Sequence, residues 1–168
     1  MVHSIELVFD ADTEAAIRRI WAGLAGAGVP SQAPAARPHV TLVVAQRIDP
    51  QVEEVLTGVV ADPPACTLGP PVLFGKGGTV LARLVVPSAD LLAVHAEVYR
   101  LSLPHLVPHP LPHTAPGQWT PHVTCARHVG PAHLARAARI TGRPSEIQGR
   151  FAGLRRWQGD TRTEHPIS

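Results

Sequence analysis

The chain has 168 residues, 45% of them hydrophobic and 17% charged, which excludes wholesale disorder and allows a sizeable core. Its formal charge of +2 and its lack of a long basic stripe exclude a duplex-binding surface, although a mild positive balance suits an anionic ligand. All cations but Lys76 are arginine and there is no asparagine, which we read as the codon bias of a GC-rich, bacterial genome rather than as evidence about partners.

Residues 3–9 alternate and end in Leu7-Val8-Phe9, which predicts a strand. Asp10 or Asp12 can cap a helix carrying Ile17, Ile20, Trp21 and Leu24, stopped by Gly26 and Gly28. A Pro/Ala/Ser loop leads to a second strand over 39–45. Asp49-Pro50 opens a helix with a buried stripe of Val52, Val55, Leu56 and Val59, and Asp62-Pro63-Pro64 closes it. Residues 66–74 predict a strand interrupted by Gly69-Pro70-Pro71, hence a bulge or an edge position. After the turn at Gly75-Lys76-Gly77-Gly78 the order starts again. A strand over 79–86 is followed by a helix opened by Pro87-Ser88, with Leu91, Leu92, Val94, Val98 and Leu101 inward. A long Pro/His loop then leads to a strand over 121–127. A short Ala/Arg helix over 131–140, a strand over 147–157 and an extended piece over 162–167 complete the chain. The expectation is one domain, 1–168, with two pseudo-symmetric halves of about 1–75 and 78–160, each reading strand, helix, strand, helix, strand.

Two stretches repeat one pattern 83 positions apart: Pro38-His39-Val40-Thr41-Leu42 and Pro121-His122-Val123-Thr124-Cys125. Each occupies the middle strand of its half. With a side-chain period of two, His39 and Thr41 share one strand face while Val40 and Leu42 point into a core, and His122 and Thr124 do the same opposite Val123 and Cys125. Facing a common cleft, the strands would present two imidazoles able to exchange protons near neutral pH and two hydroxyls able to hydrogen-bond an oxyanion. A cyclic phosphodiester needs a nucleophile deprotonated on one side of phosphorus and a leaving oxygen protonated on the other, so His39 and His122 suit general acid/base catalysis. Thr41 and Thr124 suit the non-bridging phosphate oxygens. No metal or other cofactor is required.

On these two His-x-Thr motifs and their place in the duplicated element order, the sequence resembles the 2H phosphoesterase superfamily, which includes bacterial 2'-5' RNA ligases and cyclic nucleotide phosphodiesterases. The resemblance spans nearly all of residues 3–157, with Cys125 a mild departure from the usual aliphatic residue. It implies an α+β fold, a duplicated β-α-β-α-β motif whose two antiparallel-sheet lobes form a barrel-like body around a central cleft. It also implies an enzyme that hydrolyses 2',3'-cyclic phosphates or related cyclic phosphodiesters of RNA ends or small nucleotides. Run backwards with an RNA hydroxyl as nucleophile, the same site would ligate a 2'-5' linkage.

Several further residues flank the expected cleft. Arg37 could reach a phosphate, and Phe74 and Trp119 could stack on a base. Alternation puts Arg127 on the far face with Val123 and Cys125, and Lys76 sits in its glycine turn. His105, His109 and His113 are spaced by four, but the surrounding prolines forbid the helix that would align them on a metal, so a surface loop beside the cleft is expected. His95, His128, His133 and His165 have no evident partners. Cys66 and Cys125 read as buried small hydrophobes. No apolar run approaches the roughly 20 residues of a membrane helix, and Met1-Val2-His3-Ser4-Ile5-Glu6 lacks a secretory pattern. A cytoplasmic monomer with RNA ends or small nucleotide cyclic phosphates as substrates, and without membrane partners, is therefore expected. Two other readings compete with an enzyme: a non-catalytic module binding RNA ends or phosphate, and a metal-binding protein using the Pro/His loop 104–116.

Overall fold

A computed structural model describes residues 1–31, 36–75 and 79–168. Lys76 and most of its turn, and the centre of the loop before the first motif, lie outside the described residues. The elements are β1 (His3–Phe9), α1 (Ala11–Gly26), β2 (His39–Ile48), α2 (Val52–Leu56) and β3 (Ala65–Phe74), then β4 (Thr79–Val85), α3 (Ala89–Ser102), β5 (Leu106–Pro110), β6 (His122–Val129), α4 (Leu134–Thr141), β7 (Ile147–Gln158) and β8 (Thr163–Ile167). β5 is an addition to the expected order. It grows out of the Pro/His loop and pairs with the outer end of β2, because its prolines at positions 108 and 110 cost nothing on an edge strand.

The strands run β5-β2-β1-β7-β3-β4-β6, every pair antiparallel, with β8 on β7. β7 joins two ladders. Residues 147–150 pair with β3 and residues 151–158 with β1, and β8 takes the edge of β7 that β3 has left. The two lobes thus share one long strand, and the motif strands β2 and β6 flank the cleft between them. Asp10 caps α1 by accepting from the Thr13 N–H, and Ser88 caps α3 by accepting from the Leu91 N–H. The expected bulge in β3 is present: register slips between Leu68 and Pro71.

Two helix stripes differ from expectation. Val55 and Leu92 are 40% and 45% exposed, and the inward stripe of α3 is Leu91, His95, Val98 and Ser102. Hydropathy ranks leucine above histidine, but in α3 the inward position is taken by a histidine that has main-chain carbonyls to bond. Arg83 is fully buried and donates to four carbonyls, of Leu68, Gly69, Thr141 and Ser145, which ties the β3 bulge to the C-terminal end of α4. Cys66 and Cys125 are free and buried, and burial pushes both thiols up to about 12, so neither is a nucleophile.

α1 lies against β7 through Gly149. A Cβ there would fall 2.5 Å from Thr13 Oγ1 and 2.6 Å from Thr13 Cγ2, and Thr13 itself accepts from the Arg150 N–H. Gly149→Ala is therefore expected to cost about 1–3 kcal/mol by overpacking, seen in urea unfolding as a lower midpoint at unchanged m.

Candidate active site

Both motif strands break register one residue after their threonine. In β2, Glu6 of β1 faces Thr41 and Ile5 faces Val43, so Leu42 is the extra residue of a bulge. In β6, Ala82 of β4 faces Thr124 and Leu81 faces Ala126, so Cys125 is the extra residue. A bulge shifts the side-chain phase by one. Leu42 and Val43 are consequently both buried, as are Cys125 and Ala126, and the next residues, Val44 and Arg127, return to the cleft face. Arg127 therefore lines the cleft, contrary to the expectation from strict alternation.

The strand carbonyls at these bulges take side-chain donors from outside the ladder. β5 pairs with β2 only from Ala45 onward, and upstream Trp119 Nε1 donates to the Thr41 carbonyl (2.9 Å) and His95 Nε2 to that of Leu42 (3.1 Å). In β6, Trp21 Nε1 donates to the Thr124 carbonyl (3.2 Å). His95 also donates to the Thr114 carbonyl and stacks on Trp119, with ring centroids 3.8 Å apart at 8°. Burial holds His95 below the usual histidine range, against its two carbonyl bonds.

The two motif histidines are held by one device. His39 Nδ1 donates to the carbonyl of Arg37 (2.9 Å) and His122 Nδ1 to that of Thr120 (2.7 Å), each two residues upstream. A carbonyl only accepts, so Nδ1 carries the proton and Nε2 of the neutral ring is left with its lone pair. Beyond that the two sites differ. His39 Nε2 stands 3.5 Å from a carboxylate oxygen of Glu6, a residue only 3% exposed. Glu6 also receives bonds from Ser4 Oγ (2.6 Å) and Arg155 Nε (2.7 Å). Arg155 binds Glu164, Glu164 binds Arg37, and Arg37 also pairs with Glu14, so that a chain of ion pairs closes around His39. Burial raises the Glu164 carboxyl, but its bonds from Arg155 and Arg37 outweigh this and hold it below the usual range. His122 instead lies against Phe74, ring centroids 4.5 Å apart. Burial pushes the His122 imidazolium below the usual range, opposed by the Thr120 carbonyl and reinforced by the positive charges of His39 and Arg127.

The cleft has two main chambers that share Thr41 and Val44. The one beside His39, of about 780 Å3, is lined by Arg37, Arg127, Arg155, Glu6, Glu164 and Trp157 among others. The one beside His122, of about 470 Å3, is lined by Phe74, Trp119, His113, Thr114 and Gln118. Thr124 lines a third, narrow hollow with Trp21, Arg37 and His39. His39 and Arg37 thus border one chamber, His122, Phe74 and Trp119 the other, and Thr41 both, while Thr124 lies at the hollow beside His39. Among the described residues no group of three or more His, Cys, Asp or Glu is arranged to hold a metal ion. His109 sits on β5 and bonds its neighbour's carbonyl, while His113 lines the His122 chamber.

Sequence reasoning missed Glu6, Arg155, Glu164 and His95. A carboxylate between Ile5 and Leu7, in a strand buried on both faces, was the one available signal.

The 2'-5' RNA ligase superfamily model matches residues 9–162, nearly the whole chain. The chain belongs to the 2'-5' RNA ligase superfamily. Its fold is also similar to that of Kluyveromyces marxianus Usb1, at 11% identity and a TM-score of 0.60, covering 99% of this chain and 98% of that one. The structure of the same protein with uridine monophosphate matches at 10% identity and a TM-score of 0.55, with the same coverage. No curated protein matches the sequence. Membership in the 2'-5' RNA ligase superfamily makes this an enzyme fold of phosphoester chemistry, and no helix among the described residues is long and apolar enough to cross a membrane.

Glu6→Gln removes one carboxylate from a buried guanidinium and is expected to cost about 3 kcal/mol, the lower end for breaking a buried pair because Arg155 keeps Glu164. Glu164→Gln, at a partly exposed link of the chain of ion pairs, should cost under about 1 kcal/mol. Equilibrium denaturation of the two variants measures the difference.

Proposed function

We propose that the protein is a metal-independent phosphodiesterase that opens 2',3'-cyclic phosphates of RNA ends or small nucleotides, with His122 as general base and His39 as general acid. The observation that carries this reading is the pair of Nδ1 locks, which leaves proton exchange in each ring to Nε2, beside the Glu6 carboxylate at His39 and in the ring packed on Phe74 at His122. His122, held neutral, takes the proton from the attacking water. His39 gives its proton to the departing 2' or 3' oxygen. Each role contributes typically about 10² to 10⁴ in rate. Thr41 and Thr124 donate hydroxyl bonds to the non-bridging oxygens, and Arg127 adds a guanidinium where negative charge grows. The aromatic chamber beside His122 suits the base, with one face of Trp119 backed by His95 and its N–H already committed. That the related Usb1 fold has been solved with uridine monophosphate supports a nucleotide ligand.

With a 2',3'-cyclic nucleotide in the presence of EDTA, His39→Ala and His122→Ala are each expected to abolish turnover. Thr41→Ala and Thr124→Ala should retain a measurable fraction of it, since each removes one donor and no proton carrier. Near-wild-type rates in either histidine variant would sink the assignment.

The activity profile should be a bell, because one ring must be neutral and the other charged, with apparent pKa values that belong to the pair. Its acid limb should lie below the ordinary histidine value of about 6.5, because protonation of His122 is what removes the base. Arg127→Gln takes away a positive charge that disfavours the His122 imidazolium, so the His122 ring should titrate at higher pH in this variant, as followed by NMR.

A further inference from the structure

From Val98 to Ser145 the chain contains no Asp or Glu but five Arg and six His. The structure gathers much of this charge on one side. β6, α4 and α1 pack together there: Gly23 of α1 lets α4 approach until a Cβ would stand 3.2 Å from Ile140 Cγ2, and Trp21 of α1 bonds β6. Arg136 and Arg139 lie three apart and share one face of α4, Arg143 follows just beyond its end, and Arg19 is on α1; all four are exposed. No ion pair or side-chain hydrogen bond engages them among the described residues, whereas Arg37, Arg155 and Arg156 are all held by carboxylates. The acids nearest along these elements are Asp12 and Glu14 at the start of α1, the latter committed to Arg18 and Arg37, and Glu146 after α4, which accepts from Gln148. A cation at a helix C-terminus is stabilised by the dipole, which covers Arg139 but not Arg136 or Arg19. Two of the three elements of this face also reach the cleft, since Arg18 of α1 and Arg127 of β6 both line the His39 chamber.

We propose that the α1–β6–α4 face is a track for the phosphate backbone of a single-stranded RNA whose cyclic-phosphate end occupies the cleft. This rests on the phosphodiesterase reading above and deepens it: the substrate is an RNA end rather than a free nucleotide. A phosphodiester chain fits the track because unpaired guanidiniums spaced along a rigid surface release counterions on meeting successive phosphates.

The test is the double variant Arg136→Glu/Arg139→Glu, neither residue being part of the cleft. Two substrates are compared over a range of salt: a 2',3'-cyclic mononucleotide and a short single-stranded RNA ending in a 2',3'-cyclic phosphate. Wild type should turn over the RNA with the higher kcat/KM. The variant should match wild type on the mononucleotide, lose RNA kcat/KM at low salt, and show a shallower dependence of log kcat/KM on log salt, by about 1.4 for two lost contacts at roughly 0.7 each. Equal RNA activity and an unchanged salt slope in the variant would overturn the track, as would a wild type indifferent to the RNA chain. Should neither substrate be turned over, the phosphodiesterase reading fails by itself. Fluorescence anisotropy with a labelled single-stranded RNA bearing a 3'-phosphate then decides the track: weaker binding by the variant supports it, and identical binding rejects it.

Discussion

A strand that slips register one residue after a threonine must find new partners for the carbonyls it presents, and this cleft is organised around how that is done twice. At Thr41 and Leu42 the donors are the indole of Trp119 and the ring of His95, and at Thr124 the donor is the indole of Trp21. Buried main-chain acceptors without partners would cost on the order of 1–3 kcal/mol each. Three large side chains in a chain poor in aromatics are thereby spent on the backbone behind the motifs. The same slips send two consecutive residues into the core and turn the following one back to the cleft, so that each motif contributes a third side chain to the site, Val44 in one half and Arg127 in the other.

The two motif strands are thus alike in backbone and unlike in chemistry. Both histidines send Nδ1 to the carbonyl two residues upstream, yet one stands over a buried carboxylate and the other against a phenyl ring. A symmetric pair of imidazoles could hold one proton between them but would have no reason to place it on a particular ring. Here burial, Arg127 and the other ring all disfavour the charged form of His122, and the proposed separation of roles rests on these unequal surroundings of two equally locked rings.

Element order and the pairing of the motifs were legible because strand alternation, helix caps and Gly/Pro punctuation are local properties of the chain. The β3 bulge was legible for the same reason, since Gly69-Pro70-Pro71 cannot continue a regular ladder. Arg127 was not. Nothing in Thr124-Cys125-Ala126 marks an extra residue, and a one-residue slip inverts every assignment downstream. His95 was not, because its partners, the Leu42 and Thr114 carbonyls, are distant in sequence, and hydropathy alone ranks Leu92 as the better inward residue. β5 was hidden in a proline-rich segment that only an edge position tolerates.

The ion pairs around His39 lie at the end of the same reasoning. A buried pair such as Glu6 and Arg155 returns little net stability, because the desolvation of both charges offsets their attraction and an apolar pair of equal volume does as well or better. What it does supply is direction. Glu6 sits opposite Thr41 across the β1–β2 ladder and opposite Arg155 across the β1–β7 ladder, so a single side chain in the central strand is in register with the motif on one side and with the guanidinium on the other. Arg155 reaches on to Glu164 in β8, and Glu164 to Arg37, whose carbonyl holds His39 Nδ1. Four elements and the segment before β2 therefore determine where one imidazole points. The late strands β7 and β8, which carry no motif, complete a site whose two histidines lie on β2 and β6.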